Sequence, residues 1–277
     1  MKYVKGFFMA WGMFCSIPCP HRQWDEGARH GMLSMFPLIG LILGTAVSLC
    51  WYVMAFIGLP PVFIGVMLTV LYFWLTGFIH IDGFMDCSDA LLSRRPDVDE
   101  RRRILKDSHV GAFAVISLLF AVLMFSASMS MICTLGFSPA KAAMLCIMFV
   151  LSRSLAAYDV IDKKPMNTSQ YTVMRETGRE GAAVLVILSA ALAVCAFAVI
   201  IFAHADGAAG SFGNAICGVL VICIMQAFEK QVGSNARAQL GGMGGDISGY
   251  MIVSGETCGM VLMVIGMFLA GSYTGVM

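Results

Sequence analysis

The chain alternates long apolar stretches with short polar ones, and the apolar lengths set the first expectation. A helix needs about 20 predominantly apolar residues to cross the hydrocarbon core of a bilayer. Runs of that order occupy residues 32–57, 62–81, 112–133, 140–158, 182–203, 212–228 and 247–270. They predict about seven spanning helices. A shorter apolar segment, Met1 to Ile17, is broken by Pro18 and Pro20 and is marginal for spanning, so it reads as an interfacial or re-entrant helix. The longest polar interval runs from Asp82 to His109. The fold class expected is therefore all-α: a polytopic integral membrane protein with the whole chain, residues 1–277, as one transmembrane domain.

Composition agrees. The 277 residues are 59% hydrophobic and 13% charged, against roughly 45–50% apolar and about 25% charged in soluble domains. The formal net charge is only +1, so the position of the basic residues carries more information than their number. The intervals 21–30, 82–109, 159–180 and 229–246 hold 14 of the 18 Lys and Arg residues. The intervals 58–61 and 204–211 hold none, and 134–141 only Lys141. Basic loops face the cytoplasm, which places 82–109 on the cytoplasmic side of the cell (inner) membrane. The N-terminal segment carries Lys2 and Lys5 but no small-residue cleavage site and is expected to stay attached. Most of the ten Cys residues, such as Cys50, Cys133, Cys146, Cys195, Cys217 and Cys223, lie within apolar runs and behave as small hydrophobes, so no disulfide framework is implied. Cys15 and Cys19 have no matching His or Cys pair for a zinc site.

Candidate chemistry gathers at the end of the second apolar run, in the stretch from Gly77 to Ala90. If this stretch is helical, Asp82, Asp86 and Asp89 stand at i, i+4 and i+7 and project from one face. Their mutual repulsion is relieved by a hard divalent cation. Mg²⁺ takes oxygen ligands and often shares its coordination with substrate phosphates. Ionisable residues at a membrane edge default to function; the competing reading makes Asp82 and Asp86 helix caps and Asp89 a solvated residue.

Three further features fall on the same side. Lys106, Ser108 and Gly111, in the string Lys-Asp-Ser-His-Val-Gly, supply a charge, a hydroxyl and close backbone approach, all suited to a phosphate. Gly241-Gly242-Met243-Gly244-Gly245-Asp246 opens the last span, where backbone N–H groups beside a helix N-terminus can face an anion. Asp246 is also placed to cap that helix. Glu256 lies within an apolar run and resists a structural explanation, and Arg153 is read equally as a snorkelling residue or an anion contact. Arg101 to Arg103 are read chiefly as part of a solvated loop. Basic groups facing a carboxylate cluster point to an anionic, metal-bound substrate, namely a diphosphate.

The strings His-x-Asp-Gly-x-x-Asp-x-x-Asp-Ala at 80–90, Lys-Asp-Ser-x-x-Gly at 106–111 and Gly-Gly-x-x-Gly-Asp at 241–246, in this order, resemble the cobalamin synthase family, the adenosylcobinamide-GDP ribazoletransferases. The resemblance runs from Phe14 to Glu256. It implies an Mg²⁺-dependent transfer of the adenosylcobinamide-phosphate group from adenosylcobinamide-GDP to α-ribazole or its 5′-phosphate, with release of GMP. In that reading Asp82, Asp86 and Asp89 hold the metal, and Asp89 or Asp246 takes the hydroxyl proton, with His80 in the same catalytic set. Lys106, Ser108, His109, Gly241, Gly242, Gly245, Glu256 and Arg153 contact substrate. The partners implied are the two substrates and the lipid bilayer, with a homo-oligomer or a complex with other cobalamin-assembly enzymes left open and no nucleic acid. The chain departs from the family pattern at Cys15-Ser16, His109 and Gly244, where Thr-Arg, Arg and Thr are usual. A CDP-alcohol phosphotransferase shares the metal logic, but its pattern after the Asp-Gly pair is not met at 82–90. A cation-coupled transporter predicts mid-span polar groups and an internal repeat, and a non-catalytic scaffold predicts indifference to loss of Asp82 or Asp86.

Overall fold

A computed structural model describes residues 2–21, 24–166 and 208–269. Among these residues the architecture is all-helical: α1 (Lys2–Phe14), a 3₁₀ turn (Glu26–Ala28), α2 (Arg29–Phe56), α3 (Pro61–Leu75), α4 (Ile79–Leu92), α5 (Val98–Leu105), α6 (Ala112–Thr134), α7 (Pro139–Asp162), α8 (Ala208–Leu240) and α9 (Gly245–Leu269). Among the described residues four stretches are long and apolar enough to cross a membrane: Gly31–Phe56 of α2, and α6, α7 and α9. The bent pair α3 and α4 would make a fifth. The expected span at 182–203 lies outside the described residues. The expected span at 212–228 falls within α8, which continues past it through Glu229, Lys230 and Arg237.

The centre of the bundle is α7. Met148, Phe149, Leu151 and Ala156 are buried, and α7 packs along α2 and against α9. The α2–α7 approach is close enough that a Cβ at Gly40 would lie 2.3 Å from the Phe149 carbonyl oxygen, so a larger residue there would push the helices apart. By contrast, α6 exposes Val115, Ile116, Leu119, Phe120, Leu123 and Met124. A contiguous apolar surface of this kind marks contact with lipid or protein, and a bilayer covers it at no desolvation cost.

The second apolar run does not continue straight to the carboxylates, as its composition led us to expect. Helix α3 stops at Leu75, and α4 leaves it at 88°. Gly77 and Phe78 both take left-handed conformations, with φ of 62° and 61°. At Phe78, a non-glycine residue, this is an uncommon backbone state. The new helix begins where the Asp82 N–H donates to the Phe78 carbonyl at 2.9 Å. As a result, α4 runs across one end of the bundle and lies out of line with the spanning helices.

The same end gathers the ends of other elements. Met166 N–H donates to the Met243 carbonyl at 2.9 Å, and Met243 N–H to the Lys164 carbonyl at 2.7 Å, joining the end of α7 to the start of α9. Arg101 Nη1 donates to the Gln239 carbonyl at 3.1 Å and Arg102 Nε to the Leu240 carbonyl at 2.8 Å, joining α5 to the end of α8. These two Arg side chains are therefore helix C-caps and not only part of a solvated loop. Parts of the basic intervals 82–109, 159–180 and 229–246 thus meet among the described residues.

Candidate active site

Asp82, Asp86 and Asp89 all lie on α4, with Asp82 exposed and the other two half-buried. The helix is held against the start of α9 by glycine. A Cβ at Gly83 would meet the Asp246 Cα at 2.8 Å, and one at Gly249 would meet the His80 carbonyl oxygen at 2.8 Å. No larger residue allows this crossing. It brings Asp246, separated by more than 150 residues in sequence, up to Asp82 and Asp86. Burial, and then the neighbouring charges of Asp82, Asp246 and Asp89, push the Asp86 carboxyl up to about 6. Like charges that raise a proton affinity in this way also create a site for a cation.

Asp89 is used differently. Its carboxylate accepts the Gly111 N–H at 2.7 Å and the Ala114 N–H at 2.9 Å, capping the first turn of α6. Gly111 is needed for this contact, since a Cβ there would lie 2.5 Å from the Asp89 carboxylate. The third Asp of the first motif is therefore bound to the Gly of the second. The rest of that second motif, Lys106, Ser108 and His109, is exposed. Asp107 accepts the His109 N–H at 3.0 Å and pairs with His109 Nδ1 at 2.7 Å, contacts that hold the Asp107 carboxyl below its ordinary value.

The glycine run is a tight clasp. Gly241 and Gly242 both donate to the Arg237 carbonyl, at 2.8 and 3.1 Å, and Met243 donates to Lys164, so these three N–H groups have protein acceptors and do not face an anion. A Cβ at Gly242 would meet the Met166 nitrogen at 2.7 Å. The open donors begin further on, at the first turn of α9 from Gly245, where helix geometry leaves N–H groups without intrahelical partners. Asp246 sits inside that first turn and is not the cap residue that its sequence position suggested.

His80 is buried, its ring stacked 5.9 Å from Phe14 and set edge-on to Phe36 at 5.7 Å, and its Nε2 has no hydrogen-bond partner. Arg153 and Glu256 lie deeper. They are 0% and 1% exposed and bond to one another at 2.7 Å. Ser152 Oγ donates to Glu256 at 2.5 Å, Tyr72 donates its hydroxyl to the same carboxylate, and Arg153 Nη2 donates to Tyr72 at 3.1 Å. The charged ends of Arg153 and Glu256 therefore face each other and join α3, α7 and α9. Sequence reading did not pick out Tyr72 and Ser152 because both sit in continuous apolar runs. It also passed over the Asp159–Arg237 ion pair between α7 and α8 and the buried Glu229 beside them. Their charges within or beside apolar helices were the available signal.

Comparison with known proteins extends over this whole framework. A model of the cobalamin-5-phosphate synthase family matches residues 6–264. An adenosylcobinamide-GDP ribazoletransferase of Clostridium perfringens (strain 13 / Type A) is 31% identical over 263 residues, covering 95% of this chain and 98% of its own. A protein of the same name from Clostridium botulinum (strain Alaska E43 / Type E3) is 30% identical over 273 residues, 98% of each chain. One from Lachnoclostridium phytofermentans is 26% identical over 265 residues, 96% of this chain and 95% of its own. No solved structure matches.

Proposed function

This chain belongs to the cobalamin-5-phosphate synthase family, and on that premise we propose that it is a membrane-embedded adenosylcobinamide-GDP ribazoletransferase. It moves the adenosylcobinamide-phosphate group onto a hydroxyl of α-ribazole or its 5′-phosphate, the last stage of nucleotide-loop assembly in cobalamin. The new bond joins the ribazole oxygen to the phosphorus on the cobinamide side. The bond from that phosphorus to the bridging oxygen breaks, and GMP leaves.

One observation carries the reading: Gly83 against Asp246 and Gly111 against Asp89 bring all three sequence motifs to the same end of the bundle. The donors there are carboxylate oxygens, the chemistry that suits Mg²⁺. Asp82 and Asp86 are the residues that would hold it. Among the described residues no group of three or more His, Cys, Asp or Glu side chains is gathered as a metal site; Mg²⁺ would be held jointly with oxygens of the substrate diphosphate. Bound there, Mg²⁺ supplies neutralisation of the diphosphate charge.

The chain's own residues do the rest. The first turn of α9 presents N–H groups to a phosphate oxygen. Lys106 and Ser108, both exposed, close on the diphosphate from the α5–α6 loop. Asp246, half-buried and uncapped by a basic residue among the described side chains, accepts the proton of the attacking hydroxyl. Asp89 is a positioning residue that fixes α6 and the loop before it. Most of the rate comes from orientation and charge complementarity in this arrangement. The basic face carrying the site lies in the cytoplasm at the inner membrane.

The test is GMP release by purified protein in membranes with adenosylcobinamide-GDP, α-ribazole and Mg²⁺. Activity should vanish with EDTA and fall by about a thousandfold in Asp82→Asn. A folded wild-type protein that forms no GMP would sink the proposal.

A further inference from the structure

Helices α8 and α9 run in opposite directions and close on each other through a seam in which glycine faces a larger side chain. A Cβ at Gly259 would lie 2.5 Å from Met225 Sδ, one at Gly255 would lie 2.8 Å from Glu229 Oε2, and one at Gly233 would lie 2.5 Å from Met251 Sδ. Glu229 therefore stands inside the seam. It is 0% exposed.

The charges that face it come from two neighbouring helices: Glu256 on α9, and Asp159 and Arg153 on α7. On its own helix, Arg237 follows eight residues later, about two turns on. Both guanidiniums are already engaged. Arg153 Nη1 donates to Glu256 at 2.7 Å, and Arg237 Nη1 donates to Asp159. Three buried carboxylates thus share two cations, and Glu229 is the one left over. Its Oε2 accepts from the neutral Gln226 Nε2 at 3.3 Å, and its Oε1 has no hydrogen-bond partner. Arg153 Nε also lacks a partner, so it does not reach Glu229.

An ionised Glu229 would be a buried, unpaired charge beside two others of the same sign. A carboxylate so placed takes up a proton in preference to remaining charged. A metal ion is a poorer answer, because Glu256 and Asp159 are held by arginine and, among the described residues, no three His, Cys, Asp or Glu side chains are gathered as a metal site. We propose that Glu229 is a buried proton-binding site and that its proton keeps α8 closed on α9. Loss of the proton puts a charge at the Gly255 contact, which is relieved by admitting water between the helices. The seam leads to the functional end of the protein. Two turns beyond Glu229 the Arg237 carbonyl accepts the Gly241 and Gly242 N–H groups at 2.8 and 3.1 Å, and α9 begins at Gly245. Glu229 is in this sense a pH-sensitive latch behind the first turn of α9.

Glu229→Gln is the decisive variant, because the amide keeps the shape and neutrality of the protonated acid and removes its titration. Infrared spectra of protein in nanodiscs at pH 7.5 in D₂O should show the carbonyl-stretch band of a protonated carboxylic acid, and Glu229→Gln should lose it. Asp86, at about 6, is largely ionised at that pH and adds little to the band. A folded state that holds a proton already released by the unfolded chain loses stability as pH rises. Between pH 7 and 9 the wild-type Tm should therefore fall by about 3 °C or more beyond any fall in Glu229→Gln. Three outcomes would overturn the proposal. A band unchanged by the substitution would mean that Glu229 is ionised, and failure of Glu229→Gln to fold would mean that the seam needs the charge. A wild-type Tm that rises when Na⁺ replaces choline at constant ionic strength, with no such rise in Glu229→Gln, would assign the neutralising charge to a bound cation. None of these readouts uses GMP formation, so the latch and the proposed reaction stand or fall separately.

Discussion

Asp89 and Gly111 lie 22 residues apart and touch through a 2.7 Å hydrogen bond from the Gly111 amide to the Asp89 carboxylate. This bond links the helix that carries the carboxylates to the loop that carries Lys106 and Ser108. Gly111→Ala places a methyl group 2.5 Å from the Asp89 carboxylate and should displace it. Asp89→Ala removes the cap and should cost about 1 kcal/mol of stability, whereas Asp89→Asn retains one acceptor and should cost less. Thermal unfolding of the three variants checks the order. If Asp89 acts by position, activity in Asp89→Asn should exceed that in Asp89→Ala by at least tenfold; equal, complete inactivity would return Asp89 to the metal-binding or proton-accepting role.

Gly83 controls the second junction. Gly83→Val should hold α4 away from Asp246, since even a Cβ at this position falls 2.8 Å from the Asp246 Cα. The expected outcome is loss of activity by about a hundredfold or more with normal membrane insertion. A Gly83→Val enzyme with wild-type kcat would show that Asp246 does not act together with α4.

The Arg153–Glu256 pair answers to a different test. Breaking a buried pair by removing one partner leaves an uncompensated charge and costs roughly 3–5 kcal/mol. Glu256→Gln and Arg153→Met should each lower the yield of folded protein, and the double variant should recover part of it. Where folded protein is obtained, KM for both substrates should match wild type. A selective rise in KM for adenosylcobinamide-GDP, without loss of stability, would instead make the pair a substrate contact.

The raised Asp86 carboxyl predicts a pH dependence with a definite sign. Its folded value of about 6 exceeds its ordinary value of 3.8, so between these values the folded state binds more protons than the unfolded one. Stability of the metal-free protein should therefore fall as pH rises from 4 to 6 and level off above. Mg²⁺ competes with the proton and should raise Tm at pH 7.5 much more than at pH 5. Asp86→Asn should flatten both responses. An Mg²⁺ effect on Tm that is equal at the two pH values would remove Asp86 from the metal site.

Much of this was legible along the chain. Apolar length identified a polytopic, all-helical membrane protein, because bilayer thickness and backbone hydrogen bonding leave little choice. The i, i+4, i+7 spacing put three Asp residues on one helix because side-chain direction repeats every 3.6 residues. Four features were not legible in this way. The 88° break before α4 depends on left-handed residues at Gly77 and Phe78, and Phe78 carries no local signal for that conformation. Asp89 turns to α6 because the free N–H groups of that helix arrive beside it. Gly241 and Gly242 serve the α8 end because Arg237 and the 164–166 segment reach them. Arg153 and Glu256 could be recognised as costly, but not as partners across 103 residues.

Residue types and their local spacing thus specified which chemistry the chain carries: carboxylates for a cation, glycines for close approach and apolar runs for lipid. Tertiary packing assigned each group its role. A carboxylate can hold a metal, cap a helix or neutralise an arginine with the same two oxygens, and the choice depends on which donor packing brings within about 3 Å of it.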